Sequence, residues 1–150
     1  VRAPGVTKPG SLCDSPVIST DFYATLLDLT GQSTKLAPKD SFSFKRLLAG
    51  GKASRAPLFW HYPHYGNQGG APYGAVRDGD WKLIEWYEDG KLELFNLRDD
   101  LGERNNLAGK ETKIAAKLLA KLKAWRTDVK ALMPTPNPNP PPTYYTRAKQ

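Results

Sequence analysis

Residues 73–108 read YGAVRDGDWKLIEWYEDGKLELFNLRDDLGERNNLA. Asp78-Gly79 and Asp89-Gly90 each stand between runs of alternating apolar and polar residues, a strong short-range hairpin signal. The reading is three strands: 73–77, 81–87 and 92–96. In the middle one Trp81, Leu83 and Glu85 share a face, and Lys82, Ile84 and Trp86 share the other. Apolar residues on both faces predict a central strand covered, at least in part, on both sides. Residues 99–109 form a polar loop.

Upstream, residues 58–62 (LFWHY) predict a fourth strand, followed by a long Gly- and Asn-rich loop over 64–72. Downstream, residues 110–132 give the clearest helix. Ile114, Leu118, Leu122, Trp125 and Val129 recur at helical spacing, beside a stripe of Lys110, Lys113, Lys117 and Lys121. The helix is expected to cross the sheet, bury its apolar stripe and end at Pro134. Beyond it, PTPNPNPPPTYYTRAKQ is too poor in apolar residues to pack and reads as disordered or polyproline-like.

The first 52 residues are organised differently. Pro4-Gly5 and Pro9-Gly10 punctuate an irregular start. Ser19 and Thr20 are candidate N-caps of a helix over 21–29 that ends at Gly31 and aligns Phe22, Leu26 and Leu29. A loop over 32–40 and a short helix over 42–48 follow. The apolar face of the first helix has no evident partner in the downstream module, so its partner is expected outside the chain.

The net charge of +7 is local. Residues 1–109 carry thirteen basic and thirteen acidic side chains, whereas 110–132 carry seven and two. A basic helix face reads first as a solvated surface, so nucleic acid is not the expected partner. One cysteine, Cys13, permits no internal disulfide and is expected to be a small buried hydrophobe. No apolar run approaches the ~20 residues of a membrane span, and no signal-peptide pattern opens the chain.

Arg77, then DGDWKL, ELFNL and GERNNL, is similar to the closing segment of formylglycine-dependent sulfatases of the alkaline-phosphatase-like superfamily. APGVTKPGSLCDSPVISTDFYATLLDLTG resembles the segment that follows that family's last active-site lysine, and RAPLFWHYPHY resembles the first strand of its C-terminal subdomain. The resemblance implies an α+β fold: a small four-stranded antiparallel sheet packed by a long C-terminal helix, after the last segment of an α/β alkaline-phosphatase-like domain. It divides the chain into 1–52, the end of the main domain; 53–132, the subdomain; and 133–150, the Pro-rich tail.

The same resemblance implies a parent enzyme that hydrolyses sulfate esters, of bacterial type and acting on sulfated sugars or aryl sulfates. Its Ca²⁺ and formylglycine, and an N-terminal sulfatase domain in cis, would lie upstream of Val1, and the enzyme would be periplasmic or secreted. Cys13 departs from the family's Cys-x-Pro-x-Arg pattern, because Asp14-Ser15-Pro16-Val17 follows it. No Asp-Asp and Asp-Asn pairs match the metal site, and Asp99-Asp100 reads as turn chemistry. The expectation is therefore no catalytic residue and no metal ligand in this chain.

The strand ending WHYPHY and its loop would approach the active-site mouth. His64, with Tyr65, Asn67 and Gln68, is the leading substrate-binding candidate, followed by His61 and Arg77. Each also has an ordinary structural reading, as a strand-end histidine or a surface cation. His61 and His64 are three apart, but Pro63 makes the helix needed for a metal pair implausible. Two other classes stay open: a hydrolase of phosphate or phosphonate esters from the same superfamily, and a stand-alone module binding anionic polysaccharide or nucleic acid.

Overall fold

The computed structural model describes residues 1–66 and 70–139. It forms two compact units, residues 1–55 and 56–150.

In the first unit, α1 (Asp21–Leu29) and α2 (Lys45–Leu48) flank a 3-10 turn, Thr34–Leu36. Neither Ser19 nor Thr20 caps α1 with its side chain. The helix start is organised by Asp21 instead. Its carboxylate is wholly buried and accepts hydrogen bonds from Ile18 N at 2.8 Å, Phe42 N at 3.0 Å and Arg55 Nη1 at 2.5 Å. Thr25, one turn on, accepts from Phe44 N at 3.0 Å. These bonds hold residues 42–44 out of the helix, so α2 starts three residues later than its sequence pattern predicts. Gly31 ends α1 as expected, at φ +74°. Gln32 N reaches Leu27 O and Gly31 N reaches Asp28 O, the paired bonds of a Schellman stop. Ala24, Phe44 and Leu47 form the small core. Phe22 and Leu26 remain exposed at 48% and 58%, although Phe22 meets the Phe44 ring edge-on. Cys13 is exposed rather than buried, because it sits in the irregular opening where no element packs on it.

The second unit is an antiparallel meander, β1 (Leu58–Tyr62), β2 (Tyr73–Asp78), β3 (Trp81–Trp86) and β4 (Leu92–Asn96), in spatial order β1-β2-β3-β4. With α3 (Thr112–Asp128) it makes the expected α+β module. Gly79 has positive φ and the following Asp80 does not, the pattern of a type II′ two-residue turn.

The register pairs Phe59 with Val76, Val76 with Leu83 and Leu83 with Leu94, so these four line one face. Ala115, Leu118 and Leu122 of α3 bury against that face, with Ile114 and Trp125 at the margin. Trp125 stacks on Phe59 at 5.0 Å, its plane 6° away. Burial of each of Val76, Leu83, Leu94 and Leu122 contributes about 1.5–3 kcal/mol. On β3, Leu83 is fully buried, whereas Lys82, Ile84 and Trp86 on the opposite face are half-buried.

α3 ends at Asp128, not beside Pro134. Lys130 takes φ +53°, and Ala131 N and Lys130 N return to Arg126 O and Thr127 O, closing a Schellman stop with a lysine where glycine is usual. The apolar stripe therefore finishes at Trp125, and Val129 is exposed. Of the expected Pro-rich tail, 133–139 hold no helix or strand, and 140–150 lie outside the described residues.

The edge of β4 is sealed by the NNLA segment. Asn106 Oδ1 accepts from Leu94 N at 3.0 Å, and Leu107 N donates to Leu94 O at 2.8 Å. The loop before it is shaped by Asp100, which accepts from Arg104 N and Asn105 N, both at 2.8 Å.

Candidate functional site

The three candidate residues do not form one cluster. His61 lies on the helix face of the sheet, because it shares a row with Gly74 and Glu85. Both of its ring nitrogens are engaged. Nδ1 is 2.7 Å from Tyr87 Oη and Nε2 is 2.9 Å from Leu132 O. A carbonyl only accepts, so Nε2 carries the proton and Nδ1 accepts from the phenol. His61 thereby ties the strand end to the chain leaving α3.

Tyr87 fits there because position 74 is glycine. A β-carbon on residue 74 would lie inside van der Waals contact of the Tyr87 hydroxyl and 3.1 Å from Cζ. The Arg126 guanidinium lies over the Tyr87 ring at 5.4 Å and pairs with Glu85 at 2.7 Å. That contact is an ion pair not aligned as a hydrogen bond. Burial pushes the Tyr87 phenol above its ordinary range, while neighbouring Arg126 pulls the other way.

The sequence reading misses this four-residue cluster, but it carried a signal. Glu85 and Arg126 are opposite charges, each placed on an apolar line: Trp81-Leu83-Glu85 and Leu118-Leu122-Arg126. Charges so placed are buried only as a pair.

His64 lies just past β1 and is exposed. Its ring meets Tyr62 edge-on at 5.6 Å. Tyr62, Tyr73 and Trp86 follow in one register row on the face away from α3, with ring centroids 5.8 and 5.7 Å apart. Tyr62 is 38% exposed, and Trp60, one row along on that face, is 37% exposed. Tyr65 donates to Glu88 at 2.8 Å, a bond that raises its own phenol's pKa. His64, Tyr62 and Tyr65 thus present an imidazole beside exposed aromatic faces, a chemistry suited to stacking on a sugar ring and hydrogen-bonding its substituents. Asn67 and Gln68, named with them, lie outside the described residues.

Arg77 shares the face of Tyr73 but stands four residues further along β2, about 13 Å away. Its Nε donates to Gly79 O at 3.3 Å. Its neighbour across the hairpin, Lys82, pairs with Glu103 at 2.7 Å. Among the described residues no three His, Cys, Asp or Glu side chains converge as a metal would require.

Comparisons with known proteins give this geometry a family. The family model described as N-sulphoglucosamine sulphohydrolase, C-terminal, matches residues 1–128. A sulfatase of Formosa agariphila is 34% identical over 141 residues, covering 83% of this chain and 26% of that protein. The structure of BT4656 in complex with its substrate, D-glucosamine-2-N,6-O-disulfate, is 28% identical with a TM-score of 0.59, over 73% of this chain and 24% of that one. The phosphonate monoester hydrolase SpPMH from Silicibacter pomeroyi is 28% identical with a TM-score of 0.58, over 85% of this chain and 28% of that one. The chain spans about a quarter of the length of these relatives. The order of segments, the meander with its covering helix and the match across 1–128 agree: the chain belongs to the N-sulphoglucosamine sulphohydrolase C-terminal family, the C-terminal portion of a sulfatase.

Proposed function

We infer that this chain works as part of an enzyme that releases sulfate from sulfated sugars, completing its fold and forming part of the substrate rim. The observation that carries the reading is the family match across residues 1–128, joined to likeness to a protein solved with a glucosamine disulfate substrate. The exposed Phe22 and Leu26 of α1 support a further part of the fold in cis, since a helix face of that kind needs cover.

The donor sets of these 150 residues do not fit the family's Ca²⁺ or formylglycine. Cys13 lacks the proline and arginine spacing, and among the described residues no carboxylates gather as a hard cation needs. Both groups belong to residues outside this chain, and the sulfur chemistry with them. Family resemblance supports a periplasmic or secreted enzyme. Within this chain, His64 is the residue offered to the sugar, with Tyr62 and Tyr65 as neighbouring aromatic faces. His61 and Arg77 are engaged as described, and any contribution they make is to hold the rim.

The test uses the longer protein encoded together with this chain. Release of sulfate from glucosamine sulfates is expected, with a His64→Ala variant raising KM about tenfold and leaving kcat nearly unchanged, the pattern of lost ground-state binding. The 150-residue chain alone should turn over no aryl sulfate. Preference for an aryl phosphonate over every sulfate ester would replace this reading with that of the phosphonate hydrolase.

A further inference from the structure

The segment that carries α3 holds a surplus of positive charge. Lys113, Lys117 and Lys121 follow one another a turn apart, with Lys110 just before the helix. Like charges at this spacing repel, and a surface helix ordinarily interleaves glutamates. The first turn holds no acidic residue, and the one acid of the helix, Asp128, stands at its C-terminal end. Asp128 at the end and Lys113 near the start run against the helix dipole, while Glu111 at the N-cap and Arg126 in the last turn run with it.

Lys121 has a folding role, because it pairs with Asp78 of β2. Lys110, Lys113 and Lys117 are exposed and have no acidic partner among the described residues. Residues 1–109 are charge-balanced, so the positive surplus of the described chain is gathered on this helix. No folding contact among the described residues accounts for these three lysines.

We propose that Lys110, Lys113 and Lys117 form a docking ridge for a linear sulfated polysaccharide. The choice of partner rests on the reading above, that the enzyme's substrates are sulfated sugars. Ammonium groups about 6 Å apart along a helix can follow a chain of sulfates through charge alone, without recognising one sugar. The ridge would hold polymer close to the enzyme and leave cleavage to residues elsewhere.

The experiment measures binding of the full chain to fluorescent dextran sulfate, with unsulfated dextran as the blank. Gln is substituted for Lys to remove charge while keeping helix propensity. K113Q/K117Q should weaken binding about fivefold to tenfold and lower the slope of log affinity against log salt by about two. K35Q/K39Q, which removes two exposed lysines from the other unit, should leave affinity within about twofold.

Equal losses in the two variants would overturn the proposal, because net charge alone would then explain binding. Tighter binding to a DNA duplex than to dextran sulfate, with the same dependence on Lys113 and Lys117, would overturn the choice of partner. The assay needs no catalysis. A longer protein that released no sulfate would defeat the functional reading while the lysine dependence stood, and loss of that dependence would leave sulfatase activity untouched.

Discussion

Gly74→Ala tests whether the polar cluster under α3 is an integral part of the fold. The added methyl would overlap the Tyr87 hydroxyl and approach Cζ to 3.1 Å. Tyr87 cannot simply swing away, since His61 holds its hydroxyl at 2.7 Å and Arg126 covers its ring. Displacing it would break one hydrogen bond, about 1 kcal/mol, and leave a half-buried acceptor on His61 unsatisfied, about 1–3 kcal/mol more. Alanine in a strand returns about 0.5–1 kcal/mol relative to glycine. The expected net loss is therefore roughly 1–3.5 kcal/mol. Tyr87→Phe removes both the overlapping atom and the hydrogen bond, so in that background Gly74→Ala should be close to neutral, a coupling of at least about 1 kcal/mol. Urea denaturation followed by tryptophan fluorescence is the assay. Trp60, Trp81, Trp86 and Trp125 all lie in the second unit, so the signal reports that unit alone. A cost below about 0.5 kcal/mol, or an equal cost in both backgrounds, would refute the claim that Tyr87 is fixed over Gly74.

Two further outcomes are expected of the same unit. Lys130→Gly should stabilise it by about 0.5–1 kcal/mol, because lysine at φ +53° bears the left-handed penalty that glycine avoids; an unchanged urea midpoint would mean that the lysine's position is not strained. The Tyr87 phenol is raised above its ordinary value of 10.0, chiefly by burial. Its contribution is therefore fully present below pH 10 and is lost as pH rises through the higher folded value. Between pH 9 and 11 the wild type should lose stability more steeply than Tyr87→Phe, and parallel pH profiles would count against a buried phenol.

Much of the fold is local and was legible. Alternation around Asp78-Gly79 and Asp89-Gly90 gives three strands, a five-residue run rich in aromatic residues gives the fourth, and a spacing of three and four gives α3. Gly31 marks the end of α1 because left-handed φ is nearly free only to glycine. The end of α3 was not legible, since a lysine adopts that conformation and nothing local marks it. The start of α2 was hidden for another reason. Its backbone donors at Phe42 and Phe44 are taken by Asp21 and Thr25, about twenty residues earlier.

The site divides along the same line. The sequence alone names WHYPHY as the place where an imidazole and aromatic rings gather, and it places the lysines on one helix, because both are properties of neighbouring residues. Which histidine is available was decided by tertiary structure. His61 and His64 are three residues apart, yet strand pairing directs His61 to the helix face, where Tyr87 and the carbonyl of Leu132, 71 residues away, occupy both nitrogens. His64, beyond the last pairing, stays exposed beside Tyr62. Asp21 with Arg55, Glu85 with Arg126 and Gly74 with Tyr87 are likewise pairs made by packing. Periodicity reports which residues will be buried; only the folded register fixes which buried groups meet.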